Sequence, residues 1–404
     1  MEEWKEYKLG DLGEVIGGAT PSTKNISYYD GNIPWITPKD LSNYYDRYIS
    51  YGERMISEEG FKSCSCKILP KGSVLFSSRA PIGYVAIAAN DLCTNQGFKS
   101  IIPNTKVIDS EFLYYLLVYN KSRIEAMGSG TTFKEVSGNV MRNVTVFIPN
   151  LQSQKSIASI LSSLDDKIEL NRRINENLEQ QAQALFKSWF VDFEPFKDGK
   201  FVNSELGRIP EGWKVGTLSD IANVTMGQSP KGTSYNENGE GIIFYQGRAD
   251  FGSRYPSIRL FTTEPTRYAE PLSVLLSVRA PVGDINLAVE KCCIGRGLAS
   301  IYSKTGHQSF VLYTMFSLKK ELDKFNSEGT VFGSINRSSI ENLKIIIPPM
   351  NIIQKFDSLV RSLDIKLFDL FKETERLKEI RDTLLPKLMS GELKLSEIET
   401  KLDE

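Results

Sequence analysis

The side chains able to do chemistry in this chain of 404 residues are not spaced for it. The one histidine, His307, follows Lys304-Thr305-Gly306 and reads as an exposed turn residue, and no G-x-S-x-G elbow offers it a nucleophile. The five cysteines, Cys64, Cys66, Cys93, Cys292 and Cys293, contain no C-x-x-C pair. With a single histidine they fall short of a zinc ligand set, so reduced, structural thiols are expected and no metal site. Gly128-Ser129-Gly130 lacks the following lysine and preceding strand of a phosphate cradle. Asp165 and Asp166 are adjacent, and adjacent helical positions point to different faces, so a solvated face is expected there rather than a carboxylate pair. Binding or scaffolding is therefore expected before catalysis.

The elements that would position binding residues are plainer. Across residues 154–191 the apolar side chains keep the 4,3,4,3 spacing of a helix packed on another helix: Ile157, Leu161, Leu164 and Ile168, then Leu178, Ala182, Leu185 and Trp189. The spacing returns as Phe356, Val360, Leu363, Leu367, Leu370, Leu377, Leu384 and Leu388. Ile148-Pro149 with Gln154-Lys155 introduces the first run and Ile347-Pro348 with Gln354-Lys355 the second, and each soon repeats Ser-Leu-Asp. The two helices are copies of one element. Asn171 and Asn175 interrupt the first seam, Thr374 and Arg381 the second, either to fix register or to face solvent. Pro386 removes a donor to Asp382 and is expected to kink or end its helix.

Internal repeats extend beyond the helices. Trp4-Lys5 recurs as Trp213-Lys214, and Gly18-Ala19-Thr20-Pro21 as Gly227-Gln228-Ser229-Pro230. Ser77-Ser78-Arg79-Ala80-Pro81-Ile82-Gly83 matches Ser277-Val278-Arg279-Ala280-Pro281-Val282-Gly283 at a slightly smaller offset. The order of landmarks is the same in both halves, which indicates a tandem duplication of a globular domain followed by a long helix. Short strands and turns dominate each globular part, as in the hairpin of residues 73–87 and its copy at 273–289, with helices expected over 110–127 and 308–325. The fold class is α+β: two mixed globular domains separated by two long helices. The boundaries fall at a first domain 1–150, first helix 151–193, polar linker 194–212, second domain 213–350, second helix 351–391 and acidic tail 392–404. If the halves are equivalent in space, the tail and the amino terminus together take the place of the middle linker.

Composition is that of an ordinary globular protein, 41% hydrophobic and 25% charged, with a net charge of −1 that gives no global basic signal. No apolar run approaches the roughly 20 residues that span a bilayer, and Met1-Glu2-Glu3-Trp4-Lys5 is acidic where a secretory signal is basic. A cytoplasmic location without membrane contact is expected.

Several framework segments carry a more specific message. Leu9-Gly10-Asp11-Leu12, Gly17-Gly18-Ala19-Thr20-Pro21-Ser22, Ile33-Pro34-Trp35-Ile36-Thr37-Pro38-Lys39-Asp40-Leu41, the Arg79 turn, Ala184-Leu185-Phe186-Lys187-Ser188-Trp189-Phe190 and Leu384-Leu385-Pro386-Lys387-Leu388-Met389-Ser390-Gly391-Glu392-Leu393 stand in this order along the chain. Together they resemble the specificity (S) subunits of type I restriction-modification enzymes. That resemblance implies a non-catalytic subunit with two target recognition domains, each reading half of a split double-stranded DNA site, spaced by helices packed as an antiparallel coiled coil. It implies docking of two DNA adenine methyltransferase subunits on the helices, with restriction and translocase subunits joining afterwards. No cofactor is implied for the chain itself; S-adenosylmethionine, ATP and Mg belong to the partner subunits. Residues alone leave open a coiled-coil scaffold that binds proteins without DNA specificity, or an enzyme with its own activity.

For DNA contacts the useful side chains are Arg, Lys, Asn and Gln on loops. In the first domain these are Lys39, Arg79, Asn95, Gln96, Lys99 and Lys134, with Thr131 and Thr132 suited to a phosphate beside Lys134. In the second they are Gln246, Arg248, Arg279, Arg296 and Arg337. Arg79 and Arg279 stand at equivalent places before a turn, which suits a structural role or a phosphate contact better than base reading. A helix running from Ile157 to Trp189 is about 48 Å long, somewhat more than one turn of B-DNA at about 34 Å.

Overall fold

A computed structural model describes residues 4–79, 81–130, 134–326 and 333–394. The chain divides into two compact units, residues 1–174 with 370–404, and residues 175–369. Each unit holds one globular domain and a stretch of both long helices, Leu151–Phe190 and Met350–Met389.

In the first unit a five-stranded sheet runs in the order Gly13–Gly17, Lys99–Pro103, Val74–Ser78, Ile82–Ala88 and Tyr48–Ile49. The expected hairpin is there as the antiparallel pair Val74–Ser78 and Ile82–Ala88. A smaller sheet of Arg54–Ile56, Tyr29–Ile36 and Cys93–Thr94 lies beside it. Opening strand Lys5–Lys8 pairs with closing strand Thr145–Ile148, so the domain is sealed where it hands the chain to its helix. Ile157, Ala158 and Leu161 of that helix, and Leu388 and Met389 of the other, enter one core with Phe112, Leu116 and Val146. The two helix stretches are antiparallel: Asp165 pairs with Arg381 at 2.9 Å and Lys167 with Glu373 at 3.4 Å. Asn171 is fully buried between them and donates to Glu373 at 2.9 Å and to Thr374 Oγ1 at 3.4 Å. It fixes register rather than facing solvent.

The second unit repeats this plan with a four-stranded sheet, Ala222–Met226, Leu298–Ser303, Val274–Ser277 and Ile285–Leu287, and a five-stranded one that includes Ile242–Tyr245 and Cys292–Ile294. Lys214–Thr217 and Lys344–Ile347 seal it. Its helix stretches meet through aromatic rings. Phe186 and Phe190 lie 5.7 and 5.0 Å from Phe356, and Phe190 lies 5.2 Å from Phe310 of the domain. The buried stripe there is Ala182, Phe186 and Phe190, with Leu178, Leu185 and Trp189 only partly covered. The strict seam broadens because the helix touches a domain as well as its partner, which favours the wider face of a 3.6-residue period.

Four further expectations are corrected. Residues 110–127 and 308–325 are not single helices but Ser110–Tyr119 with Lys121–Ala126, and Gln308–Ser317 with Lys319–Lys324. In the first, Asn120 turns its amide back onto the Leu116 carbonyl at 2.8 Å, a local bond that competes with the helix. Pro386 does not end the second long helix, which runs to Met389 because buried Leu388 and Met389 hold its last turn in the core. The linker contains an antiparallel hairpin, Phe201–Ser204 with Gly207–Pro210. His307 is half-buried with Nδ1 3.6 Å from Asp357, because it opens a helix packed on the long one. Among the described residues no helix is long and apolar enough to cross a membrane.

Each domain's first tryptophan packs on the end of a long helix. Trp213 lies 5.9 Å from Phe190 and 5.0 Å from Phe196. Trp4 touches Gly391 so closely that a Cβ there, at φ +74°, would stand 2.7 Å from its indole nitrogen. Trp4 beside Gly391 thus matches Trp213 beside Phe190 and Phe196. A permutant joining Glu404 to Met1 by a short flexible loop and opening between Lys197 and Lys200 is expected to express in soluble form and assemble with the methyltransferase subunit. Co-purification with a tagged methyltransferase checks it, and a soluble permutant that fails to co-purify counts against the equivalence.

Candidate nucleic-acid interface

Three loops converge in the first unit around the tight turn between Cys93–Thr94 and Lys99–Pro103. Ala19 N donates to Thr94 O at 3.0 Å, and a Cβ on Gly18 would lie 2.1 Å from Asn95 O, so the 17–20 loop rests directly on the turn. Asn95 N donates to Ile36 O at 2.9 Å, and Pro38 packs on Gly97. Ser78 N donates to Gly97 O at 2.7 Å, and Val136 N to Ser78 O at 2.9 Å, which brings Lys134 and Glu135 to the same edge.

The second unit builds the same cluster from other side chains. Gln228 N donates to Ile294 O at 2.9 Å, Gly295 N to Tyr245 O at 2.8 Å, and Val278 N to Gly297 O at 2.9 Å. A Cβ on Gly227 would stand 2.1 Å from Gly295 O, and one on Gly295 2.7 Å from Gln246 O. Only a residue without Cβ lets these backbones approach so closely.

The expected contact residues fall into distinct groups within this frame. Lys39 pairs with Glu53 at 2.6 Å, Lys99 with Glu135 at 3.1 Å, and Arg79 with Glu135 at 3.8 Å. Arg248 bonds to Asp284, where burial alone would raise the carboxyl pKa but Arg248 and Lys319 hold it below the ordinary value. Arg337 opens the helix Arg337–Glu341, pairs with Glu341 at 2.8 Å and is not among the residues that the loops bring together. Asn95 spends its Oδ1 on Gly97 N at 2.8 Å and shapes the turn. Gln96, Lys134, Gln246, Arg279 and Arg296 are exposed, and among the described residues no ion pair is formed by Lys134, Arg279 or Arg296. Thr131 and Thr132 lie outside the described residues.

What the sequence reading missed is a buried arginine beneath each domain. In the first unit Arg47, 8% exposed, donates to Ser162 O at 2.9 Å, Tyr115 Oη at 3.2 Å and Asp166 at 2.7 Å. Tyr115 donates to Asp165 at 2.6 Å. In the second, Arg254, 7% exposed, bonds to Asp364 at 2.6 Å, to Glu179 and to Tyr313 Oη at 3.4 Å, and Tyr313 donates to Asp364 at 2.8 Å. Burial would weaken each guanidinium's hold on its proton, but the neighbouring phenol and carboxylates strengthen it beyond the ordinary value. These arginines bolt each domain to its helices. The reading of a solvated face fails for Asp165, which is 13% exposed on its side chain and bonded from two elements, and holds for Asp166, which is 70% exposed. The repeated Ser-Leu-Asp, whose aspartates are Asp165 and Asp364, was the available signal.

Comparison with known proteins agrees with this duplicated plan. The sequence matches the family model of the type I restriction modification DNA specificity domain over residues 1–180 and 210–376. It is 41% identical over 418 aligned residues to the type I restriction enzyme MjaIX specificity subunit of Methanocaldococcus jannaschii, covering 98% of this chain and 95% of that protein. To the HindI specificity subunit of Haemophilus influenzae it is 26% identical, covering 97% of this chain and 100% of the relative. The crystal structure of a type I restriction-modification S subunit from M. genitalium aligns with a TM-score of 0.63 over 96% of both chains, at 19% identity, a likeness of fold alone.

Proposed function

The chain belongs to the type I restriction enzyme specificity subunits, and we propose that it reads a split double-stranded DNA site through its two loop clusters, one half-site each. The observation that carries this reading is the same three-loop cluster built twice around different exposed side chains, Gln96 and Lys134 in one unit and Gln246, Arg279 and Arg296 in the other. Two readers on one frame need shared backbone geometry and unlike tips. Lys134 and Arg279 suit phosphates, which fix a reader's position without carrying sequence information. The paired cations Lys39, Arg79, Lys99, Arg248 and Arg337 reach DNA only by exchanging a carboxylate for a phosphate.

As a specificity subunit the chain is the non-catalytic component. Two DNA adenine methyltransferase subunits dock along its helices in this reading, bringing S-adenosylmethionine, and restriction and translocase subunits join with their ATP and Mg. Exposed Leu170, Leu359 and Ile365 on those helices offer apolar contact area.

Replacing residues 1–149 by the matching domain of a relative is expected to change one half-site and leave the other as it was, read by methylation mapping of a genome carrying the variant with its methyltransferase. A wholly altered site would sink the assignment of one reader per half. A gel shift with the methyltransferase present separates a DNA reader from a protein scaffold, which would retard no DNA.

A further inference from the structure

We propose that positions 96 and 296 are one base-reading position present in two copies, with Gln96 selecting adenine and Arg296 selecting guanine in the major groove. This rests on the DNA-reading function just given and adds the base chemistry of each reader.

The two positions occupy one backbone frame. Each is the tip of the turn joining the short strand, Cys93–Thr94 or Cys292–Ile294, to the long one, Lys99–Pro103 or Leu298–Ser303. The turn closes through Phe98 N to Asn95 O at 3.3 Å in one unit and Leu298 N to Gly295 O at 3.0 Å in the other. Residues on either side are buried or half-buried while Gln96 and Arg296 are exposed, so the fold holds the turn and presents the tip. Ser229 Oγ accepts from Arg296 N at 3.3 Å, and Thr20 Oγ1 bonds to Gln96 Oε1; both partners come from the glycine loop that lies on the turn.

The side chains differ in the way that base edges differ. Guanine offers two acceptors in the major groove, O6 and N7, which a guanidinium can bind with two parallel N–H groups. Arg296 makes no ion pair among the described residues, unlike Arg248 and Arg337, so no carboxylate has to be stripped before it takes a base. Adenine offers an acceptor at N7 and a donor at N6, which a carboxamide matches with one N–H and one carbonyl lone pair. Thr20 uses one lone pair of Gln96 Oε1, and an amide oxygen has two. Thr20 thereby orients the amide while leaving both faces of the adenine contact available.

The test is methylation mapping of the complex reconstituted with its methyltransferase, for Arg296→Gln and Gln96→Arg separately. Each variant is expected to shift base preference at one position of one half-site, guanine to adenine for Arg296→Gln and adenine to guanine for Gln96→Arg, by about 5- to 150-fold. Arg296→Lys should retain guanine with a weaker preference. Competition binding by purified complex on oligonucleotides differing at that base gives the same readout without turnover. An unchanged motif with uniformly weaker binding and a salt slope lower by about 1 marks a phosphate contact and overturns the proposal while leaving the DNA-reading function standing. A wild-type complex with no sequence preference would overturn that function itself.

Discussion

Arg254→Met lowers the unfolding free energy by about 3–5 kcal/mol, the usual cost of leaving buried charges without their partner. The substitution keeps most of the side-chain volume, so the loss is electrostatic. It strands Glu179 and Asp364, whose side chains are only 21% and 19% exposed, and removes a bond from Tyr313. Lysine does not restore the arrangement, because one ammonium cannot fork to two carboxylates as a guanidinium does. Asp166→Asn is the control: its side chain is 70% exposed, so no buried charge is stranded there, and Arg47 keeps its bonds to Tyr115 and Ser162 O. The effect should vary with pH. Burial already raises the Asp364 pKa despite Arg254, and without the arginine it rises further. A carboxylate with a raised folded-state pKa destabilises above that pKa and stops doing so once protonated, so the deficit is largest near neutral pH and shrinks in acid. Urea unfolding at pH 7 and pH 5 measures both. A variant as stable as the parent at pH 7 would show that the arginine does not bolt the domain down.

Seven residues inserted into each long helix, between Ile174 and Asn175 and between Asp369 and Leu370, should lengthen the spacer of the DNA site by up to about 3 base pairs. A heptad keeps the apolar faces in phase and adds about 10 Å, and a base pair rises about 3.4 Å. Those points are the divisions between the two compact units, so the Asn171 to Thr374 register and both buried arginine clusters stay intact. An insertion in one helix alone shifts every pair beyond it and is expected to abolish assembly. Methylation mapping decides the matter. The same half-sites around a longer gap support helices that set the spacing, and an active variant with the parent's gap places that role in the methyltransferase.

The duplicated α+β plan and the paired helices were legible because periodic apolar spacing and repeated words survive in a linear text. The loop clusters were half legible: Gly18, Gly227, Arg79 and Arg279 mark their edges. Which cations are tied up in ion pairs was not, since nothing in the linear order tells that Glu53, Glu135 and Asp284 turn toward them. The arginine clusters escaped because Arg47 and Arg254 fall in the segments where the halves diverge most. One repeated word also misled. Gln154 is buried and bonds to Asp109 N, Val107 O and Pro149 O, whereas Gln354 is exposed and buried Ile353 holds the corresponding place. The copies are out of step by one residue there, and only packing shows which alignment the fold uses.

The second unit is one continuous stretch of chain, 175–369, whereas the first is closed by residues from 370 onward. During synthesis the domain made first is therefore completed last. With chain growth of about 5–20 residues per second, Ile157, Ala158 and Leu161 wait about 11–46 s for Leu388 and Met389 to emerge and cover the same core. Over that interval the nascent chain carries an open apolar stripe while the second unit is made and completed. A ribosome that stops between residues 369 and 388 leaves a product with a complete second unit and an uncapped first one, exposed to chaperones, to proteases, or to the matching stretch of another nascent copy.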